Sequence, residues 1–376
     1  MANSTSTSIL SFPPQTFAAL SPSAFLHAHL NPTSSQSSST RPNRRSPTEF
    51  RVPNINTSSL SHANGSAVVR LGNTAVVCGV RGEILKAEDI PKTYNDLAKS
   101  PDETDEEKEL NYTTIQELGL LVPNIELSTG CAPQHIPGNA PSAATQSLTH
   151  RLRSLLYTSR LIQSSDLRIW SRPANSDIDP GREEEEDEGQ DRAPRIKAYW
   201  TLYIDVLFIA LDGGAFEAAW GATIAALRDT KLPGAWWDAD REMVLCSDQL
   251  EESKQLSIRG LPVSATLGIF VAEKGRSAKA APNKRLMRGL GDSGATHHKQ
   301  EHGAEAWLLA DMDAFEEELC QEQITVVLDY STGKTKILKI EKNGGTFVNI
   351  EEMRHMLRLA EGRWIEWKNH LEASKR

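Results

Sequence analysis

The stretch YWTLYIDVLFIALDGGAFEAAWGATIAALRDTKLP, residues 199–233, constrains the fold more than any other part of the chain. It opens on an apolar run broken only by Thr201 and Asp205, the pattern of a strand covered on both faces of a sheet. Asp205 in such a strand is expected to be buried and hydrogen-bonded, with a structural role. Asp212-Gly213-Gly214 then supplies turn residues, and the Ala-rich run behind it predicts a helix ended by Pro233. A buried strand that turns directly into an apolar helix needs a layer of helix on sheet to cover both. That places the chain among mixed α/β folds.

The remaining segments follow the same grammar. In GSAVVRLGNTAVVCGV, residues 65–80, Ala67, Val69 and Leu71 alternate with Val68 and Arg70. Gly72 and Asn73 both tolerate the positive φ of a two-residue hairpin turn. Strand rather than helix follows this glycine, so the loop is not a phosphate cradle. LLVPNIEL predicts another strand, and residues 142–161 a helix burying Leu148, Leu152, Leu155 and Leu156. LPVSATLGIFVA, AWLLAD, ITVVLDY and KTKILKI read as strands, and MDAFEEELC as a short helix. The last helix begins near Asn349 with Glu352 as its capping-box partner, and presents Met353, Leu357, Ala360 and Trp364 on one face. Residues 1–40 hold a short helix, with Ser21-Pro22 suited to its start, and a Ser-rich linker. Residues 41–376 read as a single mixed α/β (α+β) domain with polar insertions at about 86–117, 172–197 and 274–303.

The formal charge is −9, but EEEEDE at 183–188 supplies six of those charges and reads as a solvated loop. Overall charge therefore does not decide the partner. No apolar run reaches the ~18 residues that span a bilayer. The Ser/Thr-rich start carries no Arg before Arg41, which argues against an organelle transit peptide. Cys78, Cys131, Cys246 and Cys320 lack the paired spacing of a zinc site and read as reduced, mostly buried thiols. His297, His298 and His302 lack a fourth ligand, so neither metal nor cofactor is expected.

ANGSAVVRLGNTAVVCGVRGE, LVPNIEL, LYIDVLFIALDGGAFEAAWGATIAALRDTKLP, SIRGLPVSATLGIF and EEELCQEQITVVLDYSTGKTKILKIEKNGG resemble, block by block, the RNase PH family. Within that family they are most similar to a noncatalytic ring subunit of the eukaryotic RNA exosome. The resemblance implies an RNase PH-like α/β domain set beside homologues in a hetero-hexameric ring around an RNA channel. As partners it implies other RNase PH-like subunits, cap subunits with RNA-binding domains, an associated exoribonuclease and single-stranded RNA. It further implies a part in ribosomal RNA maturation and messenger RNA turnover, in the nucleus, nucleolus and cytoplasm.

Active members of the family cleave RNA by phosphorolysis from the 3′ end, gripping phosphate with a Gly-Thr-Arg or Gly-Ser-Arg at the opening of the central helix. The resemblance carries that motif onto Gly214, Ala215 and Phe216, where the hydroxyl and the guanidinium are both missing. Glu217 follows; it suits the helix dipole and would repel phosphate. The family's acidic pair also lacks a match, since Asp248, Glu251 and Glu252 come in a different order and read as an exposed turn. The expectation is a degenerate phosphate site with no catalytic residue. The alternative, an active phosphate-dependent 3′-to-5′ exoribonuclease, needs an arginine from elsewhere in the fold.

A subunit that threads RNA needs a few well-placed cations. RPNRRSPTEFR offers Arg41, Arg44, Arg45 and Arg51, where the family commonly reads Arg-Pro-Asp-Gly-Arg and this chain departs at Asn43 and Arg44. The helix near 150 offers His150, Arg151, Arg153 and Arg160. Trp236 and Trp237 suit either an interface or the domain's own core.

Overall fold

The computed structural model describes residues 13–31, 39–90, 112–136, 141–171, 195–238, 241–272, 286–288, 305–345 and 348–374. The acidic run at 183–188 and His297, His298 and His302 lie outside the described residues. Residues 41–376 read from sequence as one domain, whereas the chain divides into two compact units.

The larger unit comprises residues 52–264, 327–339 and 364–376. Its sheet contains β1 (Pro53–Thr57), β2 (Gly65–Leu71), β3 (Thr74–Lys86), β4 (Leu121–Leu127), β5 (Arg168–Trp170) and β6 (Ile196–Ala210). The strand order is β1-β2-β3-β6-β4, with β5 also beside β6. The opening hairpin forms as expected, with Leu71 opposite Thr74 and Ala67, Val69 and Leu71 fully buried. Gly72 takes φ +58 and Asn73 does not turn left-handed, so one permissive residue suffices for this turn. A helix at 112–117, α3, and α4 (Ala143–Ser159) follow. The Ser142 side chain caps α4 by accepting from the Thr145 N–H, and Leu148, Leu152, Leu155 and Leu156 are its buried face.

β6 corrects one expectation. Its buried residues alternate with exposed Asp205, Leu207 and Ile209, the last 54% exposed. Within this chain both faces are covered at Ala198, Tyr199 and Trp200, but only one from Asp205 onward. Asp205 is thus a surface residue, 3.3 Å from the Asn124 amide, and not a buried one. A register shift against β3 leaves Ile209 without a paired residue.

The central helix α5 (Ala215–Asp229) is buried along its whole length from Phe216 to Leu227, as its Ala-rich sequence permits. It ends at Thr230, whose hydroxyl donates to the Ala226 carbonyl, before Pro233 is reached. The residues between are β7 (Lys231–Leu232), paired with β10 (Lys254–Gln255). A second ribbon pairs β8 (Ala235–Asp238) with β9 (Met243–Cys246).

The smaller unit comprises residues 1–51, 265–326 and 340–363. Here α1 (Pro14–Leu20) and α2 (Pro22–Leu30) are separate helices, each with proline in its first turn. Leu26 and Leu30 join Phe270, Trp307, Leu309 and Met312 in one apolar cluster, so this segment belongs to the core. A second sheet, of five strands, runs β12 (Leu286–Arg288), β13 (Glu305–Ala310), β11 (Val263–Val271), β14 (Glu322–Asp329), β15 (Lys336–Asn343). β12 is a short strand inside a segment that reads as loop, and it pairs in parallel with β13. α6 (Ala314–Leu319) opens on a capping box between Asp313 and Glu316. α7 (Ile350–Ala373) begins with reciprocal bonds between Asn349 and Glu352. Its buried positions include Met356 and Ala360 and, among residues of the larger unit, Trp364, Trp367 and Leu371, whereas Met353 and Leu357 are only half-buried.

Candidate nucleic-acid interface

The mouth of α5 is shaped by the hairpin turn beside it. The Asn73 amide donates to the Asp212 carboxylate at 3.0 Å, the Thr74 hydroxyl donates to the Gly213 carbonyl at 2.8 Å, and the Asp212 N–H donates to that hydroxyl at 2.9 Å. Gly213 and Gly214 both take positive φ, +68 and +65, which lets the chain turn from β6 into the helix without a Cβ clash. Phe216 turns inward and is buried. Glu217 does the same: it is 1% exposed and lines a small cleft with Trp220, Ile224, Leu261 and Trp367. The carboxylate of the first helical turn is therefore an interior one.

A cation does reach this mouth, from α4. The Arg151 guanidinium lies 4.2 Å from the centre of the Phe216 ring. Ala215 and Phe216 bring no hydroxyl or charge, but a neighbouring helix brings a guanidinium. Sixty-odd residues separate the pair in sequence, and nothing local signals the stacking.

α4 exposes His150 and Arg153, holds Arg151 half-buried, and ends on exposed Arg160 in the left-handed conformation, φ +51. Arg153 sits 5.8 Å from the Tyr157 ring. Arg160 and Arg259 each sit 5.2 Å from the Tyr112 ring. Tyr112, Tyr157 and Arg259 escape a reading by charge clusters. The i, i+4, i+7 spacing of Arg153, Tyr157 and Arg160 is the signal that could have found part of this group.

The N-terminal arginines form a different environment, within the smaller unit. Arg41 is 1% exposed, pairs with Glu316 at 2.9 Å, and donates to the carbonyls of Ser46, Pro47, Glu49, Ala310 and Asp311. Arg51 is also buried and grips Asp311 with its Nε at 2.9 Å and Nη2 at 2.5 Å. Arg363 donates to the Arg51 carbonyl and lies over Phe50. Burial pushes the Asp311 carboxyl up, but the hydrogen bond and charge of Arg51, joined by Arg363, hold it below its usual range. At Glu316 burial wins: it pushes the carboxyl up further than neighbouring Arg41 pulls it down. Burial, then the charge of Arg41, lowers the Arg45 guanidinium. Arg45 is half-buried and donates to the Asp311 carbonyl at 2.9 Å; Arg44 is exposed at φ +69. Arg41 and Arg51 are thus corrected from candidate RNA contacts to interior ion-pair residues, because no phosphate can reach them in this fold.

Asp248, Glu251 and Glu252 are exposed, and among the described residues no three metal-ligating side chains converge. Trp237 is buried, with the Lys197 ammonium 5.5 Å from its ring; Trp236 is half-buried. Cys78 and Cys131 are buried, Cys320 is half-buried and Cys246 is exposed, all as free thiols.

Comparison with known proteins places this frame. The model of domain 1 of the 3′ exoribonuclease family, RNase PH, matches residues 49–233. Exosome complex component rrp43 of Schizosaccharomyces pombe is 30% identical over 90% of this chain and 91% of its own. Exosome complex component Rrp42 of Methanothermobacter thermautotrophicus is 29% identical over 55% of this chain and 58% of its own. An Archaeoglobus fulgidus exosome chain, from a structure with RNA bound to its active site, shares the fold with a TM-score of 0.56 at 21% identity. That likeness covers 92% of this chain and 96% of the other. An archaeal exosome core chain aligns with a TM-score of 0.54 at 18% identity, covering 97% of this chain and 100% of the other. With a mixed α/β frame, a hairpin clamped to the mouth of a buried central helix, and a full-length relative at this identity, the chain belongs to the RNase PH family of 3′ exoribonucleases.

Proposed function

We propose that this chain is a catalytically silent subunit of an exosome core ring, which supports 3′-to-5′ RNA processing and degradation while other subunits supply the nuclease. The observation that carries the reading is the mouth of α5. Phosphorolysis must hold two anions together, an inorganic phosphate and the scissile phosphodiester, and needs cationic or hydrogen-bonding side chains aimed at them. Here the motif positions hold Ala215 and an inward-facing Phe216, with buried Glu217 in the first helical turn. The similarity to rrp43 over nearly the whole of both chains supports membership of such a ring. On this reading the partners are RNase PH-like subunits in a hetero-hexameric ring, cap subunits with RNA-binding domains, an associated exoribonuclease and single-stranded RNA. The work is ribosomal RNA maturation and messenger RNA turnover in nucleus, nucleolus and cytoplasm.

One observation favours a second reading. Arg151 brings a guanidinium to the mouth from α4, as an active phosphate-dependent exoribonuclease would require. Incubating the purified chain with labelled RNA and inorganic phosphate separates the two. The silent subunit releases no nucleoside diphosphate; release that needs phosphate and disappears in Arg151→Gln would establish the enzyme. Affinity purification of the tagged chain should return RNase PH-like subunits in equal amount, and their absence would remove the ring assignment.

A further inference from the structure

We propose that Ser46 is a phosphoacceptor for a serine kinase that selects a following proline, and that its phosphate draws Arg45 out of the ion-pair group onto the surface. The inference goes beyond the reading above and does not depend on it.

Access comes first. Ser46 is exposed, stands between two turns and belongs to no helix or strand. Its hydroxyl makes no hydrogen bond among the described residues. One turn closes with the Arg44 N–H donating to the Arg41 carbonyl at 2.9 Å, the other with the Glu49 N–H donating to the Ser46 carbonyl at 3.2 Å. Pro47 opens the second turn with a fixed φ, and it brings no N–H that a kinase groove would have to satisfy. The chain also reads Ser-Pro at Ser21 and Ser100. Ser21 is half-buried, with its N–H and carbonyl held in the junction of α1 and α2, and Ser100 lies outside the described residues.

Charge is the second observation. Arg44 and Arg45 directly precede the serine, and the Arg41 Nε donates to the Ser46 carbonyl at 3.0 Å. A phosphoserine carries roughly −1.5 to −2 charges at pH 7, and its oxygens pair with guanidiniums where these lie close. One like charge is present: the Glu49 carboxylate accepts from the Ser46 N–H at 2.9 Å. Repulsion from the phosphate moves Glu49 off that N–H and loosens the second turn.

The third observation decides which cation answers. Arg41 keeps Glu316 at 2.9 Å and its carbonyl acceptors, and Arg51 keeps Asp311. Arg45 reaches the same two carboxylates only at 3.6 and 3.8 Å. Charge-assisted bonds of this kind are about 2.7–2.9 Å long, so the hold on Arg45 is the weakest of the three. Its Nη2 is buried and makes no hydrogen bond. Burial, then the charge of Arg41, already works against the Arg45 guanidinium, and a move to an exposed phosphate relieves both. Asp311 and Glu316 retain Arg51 and Arg41, so the fold survives while the exposed turn loses its positive charge.

In the transfer the Ser46 Oγ attacks the γ-phosphorus of a nucleoside triphosphate. The Oγ–P bond forms and the bond to the β,γ-bridging oxygen breaks. Nucleoside diphosphate leaves, and the hydroxyl proton passes to the base of the kinase.

The test incubates the purified full chain with a proline-directed serine kinase, magnesium and ATP, and maps phosphate by mass spectrometry. A synthetic peptide of residues 41–51 serves as the control for sequence acceptance. Phosphate should appear on Ser46 of the folded chain, and the Ser46→Ala variant should lose it. Modification of the peptide but not of the folded chain overturns the site. So does failure on both, or phosphate on Ser21 or Ser100 in place of Ser46. Phosphorus NMR of the modified chain then tests the partner. The second pKa of the phosphate should lie about one unit lower in the wild type than in Arg45→Gln, and equal values overturn the role of Arg45. Circular dichroism checks that this variant folds; if it does not, the same phosphate in the urea-unfolded wild type supplies the reference, and equal values again overturn it.

Discussion

Arginines at 41 and 51 and arginines at 151, 153 and 160 carry equal charge into opposite surroundings. In the smaller unit Arg41 and Arg51 lie inside the fold, and their donors are taken by Glu316, Asp311 and a set of backbone carbonyls. In the larger unit α4 turns its leucines inward and leaves its cations at the surface beside aromatic rings. A guanidinium with several fixed carbonyl acceptors organises a loop; one at the surface beside a tyrosine ring, as Arg153 is, keeps its contact with solvent. Both clusters look like RNA-binding patches in sequence, and burial separates them.

The sharpest way to break this contrast is at Arg41. Arg41→Met leaves buried Glu316 with only the more distant Arg45, at 3.8 Å, and should destabilise the chain by about 3–5 kcal/mol in chemical denaturation. RNA affinity of the remaining folded protein should be unchanged. A stable variant that had lost RNA binding would erase the distinction between the two clusters.

Asp311 should show itself through pH. Its folded-state carboxyl lies below the unfolded value, so its stabilisation is complete above the unfolded pKa, near 4, and is lost as pH falls through the folded one. Glu316, held above the usual carboxylate range, works in the opposite sense: its share is greatest below its unfolded pKa and falls as pH rises through the folded one. Asp311→Asn should therefore lower stability at pH 7 and flatten the acid limb of a stability curve taken from pH 7 to 2. An unaltered acid limb would show that the Arg51–Asp311 pair does not act as drawn.

Effects in the other cluster are smaller in stability and larger in binding. Arg151→Gln removes the contact with Phe216 and should cost about 0.5–1 kcal/mol, with a measurable drop in RNA affinity. Arg153→Gln should leave the thermal midpoint within the change expected of about 0.5 kcal/mol, while lowering the salt slope of RNA binding by about one. An Arg153 variant with marked instability and unaltered RNA binding would move that residue into the structural class.

Local patterns were readable where neighbours in sequence are neighbours in space. The opening hairpin, the leucine face of α4 and the Asn349–Glu352 box each depend on residues a turn or a strand apart. Reading failed where distant elements decide. Periodicity in α7 indicates an apolar stripe but leaves its centre open, and packing chose Met356 over Met353 and Leu357. The apolar run of β6 indicates a strand covered on both faces, yet from Asp205 onward only one face is covered in this chain, leaving Leu207 and Ile209 exposed. At the α5 mouth the missing hydroxyl and guanidinium are visible in the letters Gly214-Ala215-Phe216, whereas the inward turn of Glu217 and the arrival of Arg151 are not.

The order of strands and helices, and the loss of an anion-gripping motif at the opening of α5, follow from side-chain chemistry repeated at the spacing of a helix or a strand. Which cations face solvent does not. Arg41 and Arg51 are interior because Glu316 and Asp311, more than two hundred residues later, come back to meet them. Tyr112, Arg160 and Arg259 form one group because three separate segments end at the same place. Charge is a property of the residue, but its desolvation depends on everything packed around it, and only the folded chain supplies that.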